Sequence, residues 1–106
     1  MRDSKVYAED ILSAIAKIER YTKGFTYAQF VENTLVQDAV IRNLEIIGEA
    51  AKNLPAAMRA KDVEWKKIAG LRDILIHAYS GVNLAIVWDV VEHKLPELKR
   101  AVRKVK

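Results

Sequence analysis

Apolar residues recur every three or four positions through most of this chain, and no stretch alternates polar and apolar as a strand would. Side chains three and four apart share one face of a helix, so this rhythm confines the chain to helices that bury apolar stripes against each other. Four glycines and two prolines are all that punctuate 106 residues. We therefore expect an all-α bundle of four to five helices, one of them short, forming a single domain over residues 1–106. There is no internal repeat, no low-complexity stretch and no linker long enough to divide it. A chain that is 51% hydrophobic and 30% charged has the balance of a globular protein with a modest core.

Taken in order, the first helix should run from about Lys5 to Thr22, with Asp3 or Ser4 as cap and Gly24 as stop. Tyr7, Ile11, Ala14, Ile15, Ile18 and Tyr21 form its stripe. Thr26-Tyr27-Ala28-Gln29 reads as a capping box that starts a short helix and carries Phe30 inward. A long helix follows from about Thr34 to Asn53, ended by Pro55. Val36, Val40, Leu44, Ile47, Ala51 and Leu54 should be buried, and Gly48, Ala50 and Ala51 leave room for a close neighbour. Arg42 and Glu45 are spaced to pair. Residues Ala56 to Val63 read as a connector. Trp65, Ile68, Leu71 and Leu75 restart a stripe that Gly70 loosens and Ser80-Gly81 stops near Tyr79. Asn83 should cap a last helix with the seam Leu84, Val87, Trp88, Val91, Leu95, Leu98 and Val102. Pro96 inside that seam predicts a kink or a fresh start.

Composition excludes several functions. Without cysteine there are no disulfides and no thiolate metal sites, which fits a reducing cytoplasm. No run approaches the roughly 18 apolar residues of a membrane span, and Met1-Arg2-Asp3-Ser4-Lys5 leads into no apolar signal region. A net charge of +4 permits a nucleic-acid partner without requiring one. The tail cations Lys99, Arg100, Arg103, Lys104 and Lys106 suit a helix C-terminus, and they could also support an RNA backbone.

The most chemically suggestive stretch is Arg72-Asp73-Ile74-Leu75-Ile76-His77-Ala78-Tyr79. Asp73 lies four residues before His77, so on a helix its carboxylate can hold the imidazole in one orientation and tautomer. Neutral His77, with an ordinary pKa near about 6.5, can take the proton of a ribose 2′-hydroxyl. That oxygen then attacks the adjacent phosphorus, leaving a cyclic phosphate and a 5′-hydroxyl. Arg72 offers a planar donor fork that stays charged and stabilises the transition state. The scheme uses no metal and no cofactor. Arg72 and His77 stand about 140° apart on an ideal helix, so a local break, the arginine's reach or a second copy of the chain must bring them together. Arg42, Asn43 and Glu49 of the long helix either form a solvated face or support the site from behind. His93, near a charged helix end, reads as a surface residue with no matching partner, and Tyr79 could be a packing aromatic.

Arg72-x-x-x-x-His77-x-Tyr79 resembles the motif of the HepT-like branch of the HEPN ribonucleases. So do Asp38 through Ala51 as a long helix, Trp65-x-x-Ile68-Ala69-Gly70-Leu71-Arg72-Asp73, and Val87-Trp88 with Leu95-Pro96, all in the expected order. Asn83 departs from the pattern, standing where that branch is expected to have an aspartate. The resemblance implies a HEPN-type helical bundle acting as a homodimer. It implies a toxin that cuts RNA without metal, with Arg72 and His77 catalytic; at Asp73 that branch often has a polar residue, and the orienting role is our inference from its spacing to His77. It also implies an MntA-like nucleotidyltransferase antitoxin that transfers AMP from ATP to Tyr79, blocking the cleft with bulk and negative charge. Some HEPN domains are non-catalytic, so the alternative is a helical dimer that binds and escorts the nucleotidyltransferase.

Overall fold

A computed structural model of the chain describes residues 4–55, 68 and 83–105. Among them every regular element is a helix, as the three- and four-residue rhythm requires. Helix α1 spans Ser4–Thr22, and its buried residues Ala8, Ile11, Ala14, Ile15 and Ile18 make one continuous stripe. It stops where expected: Gly24 takes a φ of 78°, a left-handed conformation that costs glycine nothing. Helix α2 is short, Tyr27–Val31. Its capping box is complete, with the Gln29 amide donating to Thr26 Oγ1 at 3.2 Å and the Thr26 amide donating to Gln29 Oε1 at 2.9 Å. Five residues cannot hold a helix by propensity alone. Phe30, fully buried, anchors it to the core.

Helix α3 spans Thr34–Lys52, with Asn33 Oδ1 accepting from the Val36 amide at 3.0 Å as N-cap. Val40, Leu44, Ile47 and Ala51 are buried as the stripe predicts, Leu54 just beyond the helix is buried too, and Val36 is half-buried. α1 and α3 form the most extensive helix pair among the described elements. Gly48, Ala50 and Ala51 are all buried, so small residues form part of the packed surface of α3. Gln37 ties α2 to α3: its Nε2 donates to the Phe30 and Val31 carbonyls at the end of α2, each at 2.9 Å.

The described chain continues from Asn83, whose side chain accepts from the Ala85 and Ile86 amides at 3.0 and 3.2 Å. Helix α4, Leu84–Asp89, runs into a wide π turn, Val90–Lys94, and then into α5, Leu95–Val105. The Leu95 amide donates five residues back, to the Val90 carbonyl. The cause is Pro96, which has no N–H and whose ring would press on the carbonyl four residues earlier. The wide turn also corrects the expected seam. Val90 is buried while Val91 is half-buried, because five residues now separate the last buried valine before the turn from Leu95. The aromatic ring of Trp88 stacks obliquely on Phe30, with centroids 5.0 Å apart, and lies 6.4 Å from Tyr27. That contact joins α2 to α4.

Among the described residues no helix is long and apolar enough to cross a membrane. Ile68 is helical and buried at 6% exposure, in line with its place in the Trp65–Leu75 stripe. The rest of that stripe, the Ala56–Val63 connector, Gly70 and the Ser80-Gly81 stop lie outside the described residues.

Candidate functional site

Arg72, Asp73, His77 and Tyr79 lie outside the described residues, and what can be described is the frame that brackets them. On the N-terminal side stands Ile68, seated in the core. On the C-terminal side stands Asn83, fixing the first turn of α4.

The three α3 residues assigned a supporting role divide into two groups. Arg42, Glu45 and Glu49 follow spacings of three and four and share one face. Arg42 is largely in solvent and its guanidinium stands 3.8 Å from the Glu45 carboxylate, a distance worth a few tenths of a kcal/mol at most. Glu49 is exposed as well. Asn43, one position and about 100° further round, turns the other way: it is 6% exposed and its Nδ2 donates to the Ala39 carbonyl at 2.8 Å. Arg42 and Glu49 therefore belong to the solvated face, and Asn43 to the packed side of α3.

His93 corrects its own reading. It is on the surface as expected, but it has a partner: Nδ1 lies 3.0 Å from Oδ1 of Asp89, four residues earlier. The four-residue spacing of Asp89 and His93 is itself a sequence signal for this pairing. The pair shows a carboxylate four residues before a histidine reaching its ring across the π turn. Asp73 and His77 have the same spacing.

The match to protein families decides the frame's identity. The family model described as "Ribonuclease HepT-like" matches residues 11–105. The chain belongs to the HepT-like ribonuclease family. As a HepT-like chain it is 47% identical over 106 residues to the "Gamma-glutamylcyclotransferase and putative RNase" of Methanocaldococcus jannaschii, a match covering 98% of this chain and 48% of that protein. It therefore spans about half of that relative. It is 41% identical over 107 residues to the "Probable ribonuclease HepT" of Thermococcus cleftensis, covering 99% of this chain and 97% of the relative. To the "mRNA nuclease HepT" of Shewanella oneidensis it is 28% identical over 127 residues, covering 91% and 96% respectively. No solved structure matches the chain. The HepT-like match spans the whole octet, so Arg72 to Tyr79 stand inside the region that matches the family.

Proposed function

We propose that the chain is a metal-independent RNA endonuclease toxin. His77 takes the proton from a ribose 2′-hydroxyl as the O2′–phosphorus bond forms and the phosphorus–O5′ bond breaks. The departing O5′ takes its proton from water. Arg72 binds the phosphate oxygens and stabilises the added charge of the transition state. Asp73 orients the His77 ring, with Asp89 and His93 as the supporting example of that spacing. Arg42, Asn43 and Glu49 are the candidates for support from α3. Names given to the relatives favour RNA, and messenger RNA in particular, as substrate.

The antitoxin in this reading is an MntA-like nucleotidyltransferase. The Tyr79 phenol attacks the α-phosphorus of ATP, pyrophosphate leaves, and Tyr79 carries AMP. Added negative charge where an RNA phosphate must sit repels the substrate. Both reactions belong in the cytoplasm, where RNA and ATP meet.

The observation that carries this reading is the family match over residues 11–105, which encloses an intact Arg72…His77…Tyr79 motif. The test is RNA cutting in excess chelator by wild type, Arg72→Ala and His77→Ala. Wild type should cut, and both variants should fail while giving the wild-type circular dichroism melt. Absence of cutting by protein whose mass shows Tyr79 unmodified would favour the escort role instead.

A further inference from the structure

Helix α5 is strongly basic for its length. Lys99, Arg100, Arg103 and Lys104 stand against one acid, Glu97, within Leu95–Val105. Its apolar side is already used: Leu95, Leu98, Ala101 and Val102 are at most 4% exposed. What remains outside is charge. Lys99 and Arg103, one turn apart, form the rim of a groove of about 500 Å³ between α5 and α1, with Leu12 and Ala16 on the α1 side and Lys5 at the end. The described lining contains no acid. The nearby carboxylate, Glu19, is taken up by Lys99, whose Nζ lies 3.0 and 3.1 Å from its two oxygens. That contact holds Lys99 against α1 at the groove.

We propose that this α1–α5 groove, together with the exposed Arg100 and Lys104 of α5, binds the phosphate backbone of single-stranded RNA. The proposal rests on the RNA-cutting function. Cations at spacing four recur about every 6 Å along a helix, which suits a polymer with one charge per unit. A lipid surface is disfavoured, because a helix that binds bilayers needs a free apolar face and that of α5 is in the core. The small, aliphatic floor of Leu12 and Ala16 lets a backbone lie close without offering any base-reading group, so the track is insensitive to sequence.

The test uses 2′-O-methyl single-stranded RNA, which cannot be cut by attack of its own 2′-oxygen, and measures affinity across a salt series. Two triple variants lose the same charge: Arg100→Gln, Arg103→Gln and Lys104→Gln on the groove side, against Lys17→Gln, Lys23→Gln and Lys52→Gln elsewhere. Each single-strand phosphate contact contributes about 0.7 to the slope of log K against log salt, so the groove variant should lose about 2 from the slope and the other should not. Equal slopes for both variants, or a groove variant identical to wild type, overturn the proposal. A groove variant that binds RNA normally but no longer co-purifies with the nucleotidyltransferase assigns the surface to a protein and overturns it too. If wild type cuts unmodified RNA while the slopes are equal, only this inference fails. If wild type neither binds nor cuts RNA, the nuclease reading fails with it.

Discussion

Asn43 is the buried polar side chain of the described core, and its amide reaches a helix carbonyl, Ala39, that an α-helical backbone N–H already uses. A hydrogen bond of that kind adds little to stability, while the amide occupies space an aliphatic would fill with profit to the core. Its place in the core is the ground for keeping Asn43 among the residues proposed to support catalysis. Asn43→Leu should therefore melt at or above the wild-type temperature yet cut RNA about tenfold more slowly, a barrier change of roughly 1.4 kcal/mol. A variant that melts higher and cuts at the wild-type rate removes Asn43 from the site. Reading the sequence placed Arg42, Asn43 and Glu49 together because all three are polar. Only packing tells that Asn43 points inward while Arg42 and Glu49 do not. His93 shows the opposite failure, since its carboxylate partner was visible four residues upstream.

Helix existence, caps and stripes were readable because they depend on neighbours in sequence. Gly24, the Thr26–Gln29 box, Phe30 and Asn83 all behave as local rules demand. Gln37 was not readable: its two bonds to the end of α2 depend on how α2 and α3 turn back on each other. Nor was the π turn, since Pro96 announces a disturbance but not whether the helix kinks or widens. Asn83 gives a quantitative check on the start of α4. Its oxygen serves two amides, so Asn83→Ala should cost about 1 kcal/mol in urea unfolding. Asn83→Asp should cost nothing or stabilise by a few tenths, because a carboxylate accepts the same bonds and favours a helix N-terminus. An Asn83→Ala variant as stable as wild type would mean the cap contributes nothing.

For the whole molecule, the fold class follows from periodicity, whereas the union of Arg72 and His77 is a matter of assembly. A helix separates them by about 140°, and no inspection of one chain's sequence says what closes that angle. Mixing distinguishes the options. If each site takes Arg72 from one protomer and His77 from its partner, an equal mixture of Arg72→Ala and His77→Ala chains forms heterodimers with one intact site out of two. Random assembly then restores roughly a quarter of wild-type cutting. Light scattering should read twice the chain mass throughout. No recovery in a mixture shown to contain heterodimers would place both groups of a site on the same chain. Elsewhere the architecture carries a practical corollary. Lys5, near the start of α1, and Arg103, near the end of α5, border one depression. Anything spliced onto either extremity of the polypeptide, whether an affinity handle or a companion domain, would overhang that same cationic face and compete with whatever approaches it.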